Sequence, residues 1–201
     1  TIGRASTPEF GYCPTTEPIV NGPTRNPWDL TCMPGGSSGA TAASVAAGIV
    51  PFAHANDGGG SIRIPASCCG LFGLKPTRGR VPNGPDGAEP LSGLAVEFAV
   101  TRTVRDAARL LDAVRGPGVG DPFVIADPSE AYSDTYAREP EQLKIAYMCD
   151  PWSGAEVNDE VKAACLATAR QCEQLGHNVN EDKPAIDWDQ FLDATHILWT
   201  A

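Results

Sequence analysis

At 201 residues the chain is long enough for one domain with a sizeable core, and 42% apolar against 20% charged residues excludes a disordered polymer. A net charge of -10 with no clustered Lys or Arg excludes a nucleic-acid partner, because phosphate backbones reward basic patches. The longest apolar run, Val45 to Ala55, is broken by Gly48, Pro51 and His54, so no membrane span and no membrane partner are expected.

No charged-then-apolar leader opens the chain, and the expected location is the cytoplasm. Seven cysteines without C-x-x-C spacing suit neither a disulfide framework nor a zinc site, so mostly buried, reduced thiols and no metal are expected.

Residues 1 to 36, rich in Pro, Gly, Thr and Asn, read as loops. Ser38 to Val50 is Ala-rich and predicts a closely packed helix. Pro51 to Asn56 predicts a short buried strand, Ser61 to Cys69 a short helix, and Leu71 to Leu74 a strand stopped by Pro76. Residues 79 to 95 return to loop composition. Thr103 and Asp106 form a capping-box arrangement that opens a helix ending at Gly116. A polar connection to Pro140 leads to a strand, Leu143 to Met148. Asn158 caps the next helix, with an inward stripe at Val161, Cys165, Thr168, Cys172 and Leu175. His177 to Asn180 follows as a strand, completing a βαβ unit with parallel strands, and Trp188 to Ala201 reads as a further helix.

Two clusters carry the chemistry. Gly35-Gly36-Ser37-Ser38-Gly39 places a serine pair between glycines at a helix start, and Asp57-Gly58-Gly59-Gly60-Ser61 again leads glycines into a serine. Glycines let main-chain N–H groups approach a ligand closely, and a helix start adds unpaired donors that favour negative charge. Together they suit an oxyanion cradle beside a serine that attacks a carbonyl. The plainer reading of either cluster is a glycine turn whose serine caps a helix.

The pattern G-G-S-S-G, then D-G-G-G-S-I-R-I-P-A, then G-L-K-P-T, within Pro34 to Thr77, resembles the amidase-signature family. Weaker likeness extends through Thr7 to Gly11, Arg25 to Trp28 and Thr103 to Asp106. The resemblance implies an α/β fold with a mixed or parallel sheet core flanked by helices. The chain would be the central part of one such domain, its lysine-bearing N-terminal segment and its C-terminal part absent. It implies an amidase working through a Ser–Ser–Lys triad and an acyl-enzyme, without a cofactor, on a small-molecule amide, with a homodimer left open. The family's nucleophile falls on Ser61 and its relay serine on Ser37, after a cis peptide bond. Gly58, Gly59, Gly60 and Ser61 fall on the oxyanion hole. Ser38, Asp57 and Arg63 fall on supporting positions.

The family's base lysine lies upstream of the first serine motif. Lys75, Lys144, Lys162 and Lys183 do not match it, so this chain by itself is expected to be inactive and part of a longer enzyme. Ala40 stands where many members have glycine and Asn56 where many have Ser or Thr. Asn56, with Thr15 to Pro18 and Pro23 to Asn26, leans towards members resembling 6-aminohexanoate cyclic-dimer hydrolase. Three other readings compete. One is an amidotransferase subunit that releases ammonia from glutamine. The second is an α/β-hydrolase elbow with Ser37 attacking and His177 or His196 as base. The third is a non-catalytic binding module. His54 reads as a packed histidine on a buried strand.

Overall fold

A computed structural model describes residues 1–85, 87 and 90–200, and the chain falls into two compact units divided after Arg138. Residues 86, 88, 89 and 201 lie outside the described residues, so the loop expected over 79 to 95 and the helix expected over 188 to 201 are described only in part.

In the first unit residues 1 to 38 hold a single 3-10 turn, Glu9–Gly11, and otherwise run as loops. Helix α1 spans Gly39–Ala46, where alanines and glycine permit close packing. Strand β1, Phe52–Asp57, is followed by the glycines and by helix α2, Arg63–Cys69. Gly70, in the left-handed conformation at φ 66°, ends α2. Strand β2 is short, Phe72–Gly73.

A third strand, β3 (Val96–Thr101), has no counterpart in the sequence-based expectations, yet it is the centre of the sheet. It pairs antiparallel with β1, His54 opposite Ala99 and Asp57 opposite Val96, and antiparallel with β2. Its run of Val96, Phe98, Ala99, Val100 and Thr101 is buried on both faces, which removes the alternation that marks a strand. Strand β1 corrects the expectation of a buried strand, since Ala55 and Asp57 point inward while Phe52, His54 and Asn56 face solvent.

Helix α3, Val104–Val114, starts as its capping residues predict: the Thr103 hydroxyl accepts the Asp106 N–H at 3.1 Å. The connection after it contains an unexpected short helix α4, Tyr132–Tyr136, whose first N–H groups donate to the Asp112 carboxylate at 2.9 Å. The core of this unit gathers Val45 of α1, Ile62 before α2, Cys69, Phe98 and Val100 of β3, and Leu111 of α3. Burial of each large side chain stabilises the unit by about 1.5–3 kcal/mol.

The second unit is the expected βαβ element. Strands β4 (Lys144–Tyr147) and β5 (Asn178–Glu181) pair in parallel, joined by helix α5 (Asp159–Gln174), and helix α6 spans Trp188–Thr200. Asn158 caps α5 by accepting the Glu160 N–H at 2.8 Å. The inward stripe of α5 differs from expectation. Cys165, Ala169 and Cys172 are its sheltered residues, whereas Val161, Thr168 and Leu175 are exposed. The spacing of four and three residues defines one face, and the apolar residues outside it are not covered within this unit.

The cysteines are all free thiols, but the expectation that they are mostly buried is corrected. Cys13, Cys32 and Cys68 are exposed and only Cys69 is fully buried, because the first two lie on surface loops and Cys68 points away from the core side of α2. No helix among the described residues is long and apolar enough to cross a membrane.

Candidate active site

The two serine clusters are built against each other by packing. Gly35 lies on the flank of α2: a β-carbon there would come within 3.0 Å of Ile64 Cγ2 and 3.1 Å of Pro65 Cα. The Cys69 thiol, on the core side of α2, donates to the Pro34 carbonyl at 3.7 Å. The loop that carries Ser37 therefore rests on the helix that Ser61 leads into. Its other side rests on the Thr15 main chain, so close that a β-carbon on Gly36 would stand 2.4 Å from the Thr15 carbonyl oxygen. The Gly36–Ser37 peptide bond is cis, as the resemblance implied.

Ser37 and Ser38 are buried, and Ser61 is partly exposed. None of the three hydroxyls caps a helix. Ser38 occupies the N-cap position of α1 without a side-chain bond, and the Gly39 N–H is accepted by the Thr16 hydroxyl at 3.0 Å. At α2 the first N–H groups go to Asp57 instead, whose Oδ2 accepts those of Ile62 at 3.2 Å and Arg63 at 3.3 Å. The capping explanation of these serines is thereby replaced: other residues satisfy the helix starts.

Asp57 is fully buried and is the electrostatic centre of the second loop. Its Oδ1 accepts the Gly60 N–H at 2.8 Å, and Arg63 grips the carboxylate with Nε to Oδ2 and Nη2 to Oδ1, both 2.9 Å. Burial alone pushes this carboxyl upward. The Arg63 hydrogen bonds and charge, with the N–H donors of Ile62 and Gly60, outweigh it and hold the group below the ordinary carboxylate range. The Gly60 N–H is thus committed to Asp57. Those of Gly58, Gly59 and Ser61 donate to no protein acceptor among the described residues.

The far end of α2 is anchored by residues that no single local signal singled out. Asn26 Nδ2 donates to the Cys68 carbonyl at 2.8 Å and Trp28 Nε1 to the Cys69 carbonyl at 2.8 Å, satisfying acceptors that a helix terminus leaves open. Cys69 itself is buried, and burial, then the neighbouring Cys68, push its thiol up to about 11, which disfavours the thiolate.

Ser37 does not sit on an α/β-hydrolase elbow, because residues 30 to 36 run through turns and bends with no strand before the serine. His54 is corrected from a packed core residue to an exposed one whose Nε2 meets Glu97 at 2.7 Å, diagonally across β1 and β3. His177 accepts the Leu143 N–H through Nδ1 at 3.3 Å within its own unit. Among the described residues no group of His, Cys, Asp and Glu is arranged to hold a metal.

Comparison with known proteins places these features in context. The family model described as Amidase matches residues 1–200. The 6-aminohexanoate-cyclic-dimer hydrolase of a Pseudomonas species (strain NK87) is 43% identical over 186 residues, covering 91% of this chain and 38% of that protein. A solved structure of 6-aminohexanoate cyclic dimer hydrolase with substrate superposes with a TM-score of 0.85 at 42% identity, over 90% of this chain and 38% of that one. A bacterial aryl acylamidase of the amidase-signature family gives a TM-score of 0.84 at 36% identity, over 94% and 39%. The chain spans about two fifths of the length of the relatives it matches.

Proposed function

The chain belongs to the amidase family, and from that premise we propose that the protein it forms part of hydrolyses carboxylic amide bonds through an acyl-enzyme on Ser61. The observation that carries this reading is the mutual packing of two serine loops whose hydroxyls are released from helix capping by Thr16 and Asp57.

In the proposed cycle Ser61 Oγ attacks the amide carbonyl while its proton passes to Ser37, whose own proton passes to a neutral lysine outside this chain. The carbonyl oxygen, now negative, is received by the main-chain N–H groups of Gly58, Gly59 and Ser61, which donate to no acceptor among the described residues and lie just before the start of α2. The Gly60 N–H, held by Asp57, fixes the curvature of this cradle. Asp57 and Arg63 act as a clamp on the loop and Ser38 as a neighbour of the relay; none of these exchanges protons with substrate. The proton returns through Ser37 to the departing amine, the C–N bond breaks, and water then hydrolyses the ester on Ser61 by the reverse relay. Likeness to a cyclic-dimer hydrolase supports short linear or cyclic amides as the substrate class.

The test is labelling of the full-length protein with a fluorophosphonate serine probe, followed by peptide mass mapping. An adduct on Ser61, lost in Ser61→Ala and slowed in Ser37→Ala, is the expected result. An adduct on Ser37, or none on a folded protein, overturns the reading.

A further inference from the structure

We propose that Thr16 is a positioning residue of this site, its hydroxyl holding Ser37 in line for proton transfer; the inference rests on the amide-hydrolysis reading above. Thr16 lies 21 residues before Ser37 and is fully buried. Its Oγ1 accepts the Gly39 N–H at 3.0 Å and faces the carbonyl oxygens of Gly35 at 3.0 Å and Ser37 at 3.1 Å. One hydroxyl thus ties three main-chain groups on both sides of the Gly36–Ser37 bond.

The side chain is itself held from behind. The Thr16 carbonyl accepts the Thr24 N–H at 2.9 Å, and the adjoining Thr15 main chain fills the space beside Gly36. The relay loop therefore has a rigid wall on this side and α2 on the other.

The hydroxyl also decides what the serines do. Serine at a helix start ordinarily caps it. With Thr16 serving the Gly39 N–H, neither Ser37 nor Ser38 is drawn into that role. Removing the Thr16 hydroxyl leaves the buried Gly39 N–H without its acceptor and the Gly35 and Ser37 carbonyls without their shared donor, and Ser38, at the N-cap, is the natural replacement. A loop that shifts to let Ser38 cap the helix carries the adjoining Ser37 out of line for the relay.

The experiment uses the full-length enzyme with Thr16→Val, Thr16→Ser and Thr16→Cys. Thr16→Val keeps the shape and loses the hydrogen bonds; kcat is expected to fall on the order of 10- to 100-fold with KM unchanged, since small misplacements of a reacting group have effects of that size. The rate of fluorophosphonate labelling at Ser61 falls in parallel, and Thr16→Ser, which keeps Oγ, restores both. Thr16→Cys, a weaker hydrogen-bonding group of similar size, covers the case in which Thr16→Val does not fold: its kcat and labelling rate are expected to fall below those of wild type with KM unchanged. A lowered melting temperature with wild-type kcat and labelling rate in the folded Val or Cys variant overturns the proposal. Persistence of the wild-type label after Ser61→Ala would instead overturn the underlying reading, so the two failures are distinct.

Discussion

Asp57 and Arg63 meet edge to edge, Nε to Oδ2 and Nη2 to Oδ1 at 2.9 Å each, and the same carboxylate receives the N–H groups of Gly60, Ile62 and Arg63. One buried charge therefore shapes the glycine loop, starts α2 and fixes where Ser61 stands. The pair is half inside and half out: the Asp57 side chain is 0% exposed and that of Arg63 53%.

Asp57→Asn keeps the size of the side chain but leaves Arg63 without its charge partner, and breaking such a pair is expected to destabilise by about 3 kcal/mol. The wild-type carboxyl has a depressed folded pKa, so its contribution is present above the unfolded value of about 4 and is lost as pH falls through the folded one. Denaturant unfolding from pH 7 downwards should show the gap between wild type and Asp57→Asn closing in the acid range; a gap independent of pH would contradict it.

Gly36→Ala is expected to reduce labelling at Ser61 strongly, because its β-carbon would meet rigid main chain at Thr15 rather than a side chain that can turn. Mass mapping of the labelled full-length protein measures it, and a wild-type labelling rate would mean that the Ser37 loop moves freely.

Trp28→Phe keeps a ring at this largely exposed position and deletes the bond to the Cys69 carbonyl. Loss of that bond is expected to lower unfolding free energy by about 0.5–1.5 kcal/mol. Chemical denaturation reads the effect, and no change would show that solvent replaces the indole.

Glu97 raises the His54 pKa, through its hydrogen bond first and its charge second, against the opposing effect of burial. A raised folded pKa means stabilisation that is complete below about pH 6.5 and disappears as pH rises through the folded value. In Glu97→Gln the His54 ring resonances should titrate at lower pH by NMR; an unmoved titration would show that the contact does not persist in solution.

Thr103→Ala removes the cap of α3 and is expected to cost about 1 kcal/mol of stability. Because Thr103 belongs to neither serine loop, kcat of the full-length enzyme should be unchanged, which makes this variant the control for Gly36→Ala.

Local signals carried most of the helices. Thr103 and Asn158 cap through side-chain bonds to backbone two or three residues on, a relationship contained within one turn and so readable in a line of text. The parallel β4–α5–β5 element was equally legible from its strand–helix–strand spacing. The central strand β3 was not, because burial on both faces erases the period-two pattern on which strand recognition depends. Helix α4 escaped for a different reason: its start is capped by Asp112, 20 residues away.

The candidate site divides along the same line. The order of glycines and serines from Gly35 to Gly39 and from Asp57 to Ser61 is sequence information; the family and the Asp57–Arg63 pair are legible in it, and the proposed nucleophile and relay positions rest on it. Which groups serve the helix starts was decided by tertiary structure. Thr16 takes the Gly39 N–H, Asp57 takes those of Ile62 and Arg63, and Asn26 and Trp28 close the far end of α2. Bonds across 23, 41 or 42 residues follow no local rule, since which buried donor finds which acceptor is set when the chain packs and every enclosed polar group must be satisfied.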